Sequence, residues 1–205
     1  MKNMTLLILG VFGAGLAADA DEIIARTSKN YEAIKSFSAQ FDRKTCNVSE
    51  EVCQLSQGKI SYQEPDLFRI EISSPNKETY VSDGADLWIY VPAQKKVVKQ
   101  PIADHKMILS PRYFLDDFKE RFTCTLEEEG EKTWKVKLVP KDETYFLQDI
   151  ILTIDRATYR VLGFATFDKN ETNIGFDFVR LVTNPRLNAK LFTFKVPKGV
   201  EVIGP

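Results

Sequence analysis

Apolar and polar residues alternate with a period of two through most of residues 58–91, the signature of strands with two different faces. Ile60 and Tyr62 share one side of the first run. Glu64-Pro65-Asp66 interrupts it, because proline donates no ladder hydrogen bond and restricts the residue before it. Residues 67–73 resume the alternation, with Phe68, Ile70 and Ile72 on one side and Arg69, Glu71 and Ser73 on the other. Asp83-Gly84 then separates Tyr80-Val81 from Leu87-Trp88-Ile89-Tyr90-Val91. An Asp-Gly pair between apolar runs predicts a hairpin.

The pattern changes period twice elsewhere. Residues 19–36 carry Ile23, Ile24, Thr27, Tyr31 and Ile34 near helical spacing, with Asp19, Asp21 and Glu22 at the favourable N-terminal end. Residues 37–41 alternate and read as a strand; residues 95–100 form another after a turn at Pro92-Ala93. Residues 101–122 break the β pattern. Met107, Ile108, Leu109, Tyr113, Phe114, Leu115 and Phe118 recur at helical intervals, and Pro111 divides them into two short helices. After Phe122 the alternation returns: Trp134, Val136 and Leu138, then Ile150, Leu152 and Ile154, a turn at 155–158, and strands over 161–167 and 174–178. Short strand signals close the chain at 191–196 and 200–203. About ten strands, one leading helix and one helical insertion predict a mainly β fold with α: a single strongly curved antiparallel sheet, or unclosed β-barrel, covered by a helical lid.

The first residues are a separate matter. Met1-Lys2-Asn3 is a short basic head, residues 4–16 are an apolar run, and Ala17, Ala18 and Ala20 follow. This predicts a secretory signal peptide over 1–17, cut after Ala17 or Ala20, and a single domain over 18–205. The apolar run is too short for a stable span, and it contains no cysteine to accept a lipid anchor. Secretion in turn gives the cysteines meaning. Cys46 and Cys53 lie close enough to close a short loop between strands as a disulfide, leaving Cys124 as a buried free thiol.

Composition mainly excludes. A formal charge of −1 over 205 residues argues against a nucleic-acid binder. Two cysteines at this spacing, with one histidine in the chain, predict no metal site and no cofactor. There is no Gly-x-Ser-x-Gly elbow and no phosphate-binding loop; His105 reads as a surface residue at a helix start and Ser82-Asp83-Gly84 as turn chemistry. No catalytic residue is assigned. Phe68, Ile70, Ile72, Trp88, Phe114, Phe118, Phe176 and Phe178 instead supply more large apolar surface than so few helices cover.

Pro65-Asp66-Leu67-Phe68, Ser82-Asp83-Gly84 and Leu87-Trp88-Ile89-Tyr90 together resemble the LolA family of periplasmic lipoprotein carriers. Ser36-Phe37-Ser38-Ala39-Gln40-Phe41 and Phe192-Thr193-Phe194-Lys195-Val196-Pro197-Lys198-Gly199-Val200 extend the resemblance from about Asp19 to the C-terminus. It implies an unclosed barrel whose concave face holds acyl chains under a mobile lid. The wall is then expected at Phe37, Phe41, Ile60, Tyr62, Phe68, Ile70, Ile72, Trp88 and Tyr90 in the first strands. Met107, Leu109, Phe114 and Phe118 join from the insertion, and Trp134, Phe176 and Phe178 from the later strands; Ile108 and Leu115 belong to the lid. The implied partners are acylated lipoprotein N-termini, an inner-membrane lipoprotein-releasing ABC transporter and an outer-membrane acceptor, with the carrier a monomer in the periplasm. A lipid- or lipoprotein-sensing regulatory module on the same half-barrel is the alternative; such relatives carry an extra C-terminal domain, whereas this sequence stops at Pro205. One position departs from the family. Relatives commonly place an arginine before the proline of the first motif, where it bonds the lid and holds the empty carrier shut, and here that residue is Glu64. An ionised carboxylate donates no hydrogen bond, so the latch is absent, reversed in polarity or moved to another residue such as Arg69.

Overall fold

The computed structural model describes residues 19–47, 49–102 and 111–204. The leader expected over 1–17 lies outside them, as do His105, Met107, Ile108 and Leu109. Twelve strands form one sheet: β1 (Ser36–Asn47), β2 (Val52–Gln63), β3 (Leu67–Ser74), β4 (Glu78–Asp83), β5 (Asp86–Val91), β6 (Lys96–Pro101), β7 (Phe122–Glu129), β8 (Thr133–Pro140), β9 (Leu147–Asp155), β10 (Val161–Asp168), β11 (Thr172–Thr183) and β12 (Glu201–Ile203). Their order across the sheet is β12-β6-β5-β4-β3-β2-β1-β11-β10-β9-β8-β7, so β12 and β7 are edges and the barrel is not closed. Every pairing is antiparallel except that of β12 with β6, a departure from the wholly antiparallel sheet the alternation predicts.

Local chemistry sets these boundaries. Helix α1 (Ala20–Glu32) starts where the Asp19 carboxylate accepts a hydrogen bond from the backbone N–H of Asp21 at 3.1 Å. It ends four residues before β1, and Asn184 at the end of β11 ties that junction: its side chain accepts from Lys35 N at 2.8 Å and donates to Ala33 O at 2.9 Å. The β4–β5 hairpin turns at Gly84, whose φ of 92° favours glycine. Gly58 serves packing. A Cβ there would lie 2.5 Å from the Phe41 ring and 2.6 Å from the carbonyl oxygen of Glu71, so its absence lets Phe41 lie across β2. The Cys46–Cys53 disulfide joins facing positions near the tip of the β1–β2 hairpin, and Cys124 is free.

The insertion forms α2 (Arg112–Leu115) and α3 (Phe118–Arg121), with Pro111 capping the first and Asp117, at a φ of 51°, turning the chain between them. Arg121 binds the two helices to β7. It donates to the carbonyl oxygens of Tyr113 at 2.6 Å and Asp116 at 3.2 Å, and its guanidinium lies 4.9 Å from the Phe122 ring centre.

The strand expected over 191–196 does not form. Asn188 caps a 3₁₀ turn, Ala189–Phe192, and the chain then crosses the outer face of β3 and β4. Phe194 stacks on Trp88 with ring centres 5.7 Å apart, so burial against the sheet, rather than ladder pairing, holds this segment.

Candidate functional site

Strand register decides which side chains share the concave face. Tyr62 faces Phe68, Phe68 faces Ser82 and Ser82 faces Leu87; one step along, Ala39, Ile60, Ile70, Tyr80 and Ile89 align. These residues, with Phe37, Phe41 and Ile72, make one apolar group on β1–β5. Of the expected wall, Phe37, Phe41, Ile60, Tyr62, Phe68, Ile70 and Ile72 lie together here. Ala39, Leu87 and Ile89 join them without having been assigned from sequence, although the alternation in 87–91 already allowed Leu87 and Ile89.

Trp88 and Tyr90 correct that expectation. A two-residue period puts them on the face opposite Leu87 and Ile89, against Phe194. On that convex face Tyr90 borders a groove of about 540 Å³ that also includes Arg69, Lys190 and Lys195.

Phe114, Phe118 and Trp134 also part from Phe68. They belong to a second apolar group, in which α1, α2 and α3 pack on β7–β10. Leu115 joins them with none of its surface exposed. Phe176 and Phe178 touch both groups: the Phe176 ring centre lies 5.5 Å from that of Phe41 and 5.0 Å from that of Phe164. Where the groups meet, Tyr31, Ile34, Phe37, Pro111, Phe178, Leu181 and Thr183 enclose an apolar slot of about 10 Å³, too small for an acyl chain.

At the rim of this junction Glu64 meets the insertion. Its carboxylate forms an ion pair with Arg112 on α2, and its other oxygen lies 3.1 Å from Lys35 Nζ. Arg112 also reaches Asp116 at 3.1 Å. Burial works against the Arg112 charge, but Asp116 and Glu64 outweigh it and its pKa is raised. Where the family has an arginine, the ion pair here has the opposite polarity: the carboxylate of Glu64 lies in the β2–β3 turn and the arginine on the helix. Arg69 faces outward, paired with Glu71 at 2.8 Å, and takes no part. Beside this cluster the Tyr62 hydroxyl donates to Pro65 O at 3.0 Å, and burial, with Glu64 and Asp66 nearby, pushes its pKa up to about 12.

No group of acidic, cysteine or histidine side chains able to hold a metal occurs among the described residues, and none of their helices is long and apolar enough to cross a membrane.

The fold and its inner wall define a class, the open half-barrel with an apolar concave face and helices laid over part of it. Within that class the chain belongs to the LolA family: the family model described as "Outer membrane lipoprotein carrier protein LolA" matches residues 32–195. An outer-membrane lipoprotein carrier protein of Pseudomonas aeruginosa (strain UCBPP-PA14) is 30% identical over 196 residues, covering 93% of this chain and 92% of its own. One from Histophilus somni (strain 2336) is 27% identical over 205 residues, covering 97% and 94%. Among solved structures, an uncharacterised conserved protein of Thermus thermophilus superposes with a TM-score of 0.56 at 18% identity, over 91% of this chain and 99% of that one. MucB superposes at 0.52 and 16% identity, over 88% and 64%.

Proposed function

We propose that this protein carries lipoproteins through the periplasm, shielding their acyl chains against the inner face of β1–β5. The observation that supports this most is the division of the concave face. The helices pack onto β7–β10, while β1–β5 and β11 present a second, continuous apolar wall. Acyl chains cost roughly 0.8 kcal/mol per methylene in water, so an acylated N-terminus crosses an aqueous space only when such a wall hides it. Apolar contact is non-directional, which suits cargoes that share only their lipid.

The slot at Pro111 is closed to a chain, so loading requires α2 to move. The Glu64–Arg112 pair is the latch that such movement breaks. Partly exposed ion pairs are worth at most about 1 kcal/mol, weak enough to open when cargo arrives. An inner-membrane ABC transporter supplies the cargo and an outer-membrane acceptor takes it. The leader is cut after Ala17, a reading supported by Ala20, which is buried in the first turn of α1.

The test is release of a lipoprotein from inner-membrane vesicles into a soluble complex with this protein. Phe68→Glu, which places a charge on the wall where Phe68 is 2% exposed, is expected to impair release, read on mutant protein that circular dichroism shows to be folded. Normal release by a folded mutant would remove Phe68 from the lipid path.

A further inference from the structure

The inner wall of β1 ends in a charge. Phe37, Ala39 and Phe41 point inward, and the same period brings Arg43 onto that face next. Arg43 faces Ser56 on β2 and Phe176 on β11. Its Nε donates to the hydroxyl of Ser56, itself 3% exposed, at 2.9 Å. Among the described residues no carboxylate comes within ion-pair distance of its guanidinium, and Nη1 and Nη2 make no hydrogen bond. The nearby acid on this face is otherwise engaged: Glu78 accepts from the Tyr80 hydroxyl at 2.7 Å. Arg43 and Tyr80 share the inner space, since burial and Glu78 push the Tyr80 phenol up to about 12 while the Arg43 charge opposes them.

A half-buried guanidinium beside phenylalanines is costly to desolvate unless an anion meets it. Arginine holds its donors in a rigid fork that fits the two oxygens of a carboxylate or phosphate. From Arg43 back to Phe37 the wall runs about 20 Å along β1, longer than an extended twelve-carbon tail. We propose that Arg43 binds the oxyanion head of an amphiphile whose aliphatic tail lies along Phe41, Ile60 and Ile70. This rests on the apolar wall of the carrier reading and goes beyond it, because it gives the wall a polar end that selects for a charged head. A fatty acid and an anionic phospholipid share that chemistry.

Isothermal titration of the folded protein with dodecanoate, dodecyl phosphate and dodecanol, each below its micelle concentration, tests it. Both anions are expected to bind about tenfold or more tighter than the alcohol. Added salt should weaken the anions alone. Arg43→Met should bring both anions down to the affinity of dodecanol and leave dodecanol unchanged, and Arg43→Lys should keep part of the preference. The tighter of the two anions tells a fatty acid from a phosphate headgroup. Equal binding of anions and alcohol by the wild type, or an Arg43→Met protein that still prefers anions, overturns the inference while leaving the apolar wall intact. Failure of all three amphiphiles to bind removes the wall and this site together.

Discussion

Both apolar groups are buried, but by different means: Val136, Leu138, Ile150, Leu152, Ile154 and Val161 lie in the group that the helices α1 to α3 join, whereas Phe68, Ile60, Ile70 and Ile72 lie in a group made of strand residues. The first group has helices packed on it from two parts of the chain, α1 from before the sheet and α2–α3 from its middle. The second ends against an arginine at one extremity and an ion-paired rim at the other. The same alternation thus builds a permanently filled core on one half and, on our reading, an exchangeable wall on the other. Alternation says that a face is apolar. It does not say whether protein or ligand will cover it.

Truncations can break this comparison. Leu152→Ala is expected to cost about 4–5 kcal/mol in urea unfolding, the upper end for a core that cannot collapse around the gap, and Ile70→Ala about 2–3. Equal losses would mean that both halves are ordinary core. The disulfide comes next. Cys46→Ser with Cys53→Ser should cost about 2–3 kcal/mol for so short a loop. Alkylation of the unreduced, unfolded wild type should label one thiol per chain, and labelling of three would contradict the bond seen here.

Smaller effects sharpen the picture at the rim and in the filled half. Arg112→Met should change stability by less than about 1 kcal/mol, since its pair with Glu64 is partly exposed. It should still speed amide hydrogen exchange across α2, and unchanged exchange there would mean that the pair is no latch. Cys124 should leave stability untouched at neutral pH. Burial, and then the Asp21 carboxylate, push its thiol up to about 12, so it stays protonated in the fold. Iodoacetamide should modify it slowly in the native protein and quickly once unfolded. The unfolded chain loses this proton near pH 9 while the folded chain keeps it, so stability should fall as pH rises past that point, and Cys124→Ser should flatten the fall.

Much of this was legible in advance. Strands with one polar and one apolar face announce themselves by period, and Phe68, Ile70 and Ile72 lie where the alternation puts them. Cys46 pairs with Cys53 as the spacing suggested, but Pro111 does not divide the helices of the insertion: it caps α2, both helices follow it, and the chain breaks between them at Asp117. Parity inside a wholly apolar run was not legible. In Leu87-Trp88-Ile89-Tyr90-Val91 both faces are apolar, because Phe194 arrives from far along the chain to cover one of them. The 191–196 stretch looked like a strand for the same reason: Phe192 and Phe194 are apolar to satisfy the sheet's outer face rather than a ladder.

Local periodicity, turn residues and cysteine spacing therefore determined the strands and the hairpins, since each depends on neighbours within a few residues, whereas joining them into one sheet took the distant β1–β11 and β6–β12 pairings. Tertiary structure alone decided that the helices fill β7–β10, that Glu64 meets Arg112 and that Arg43 stands at the end of an apolar wall. Those outcomes depend on register and packing between distant segments, which no short window of sequence encodes.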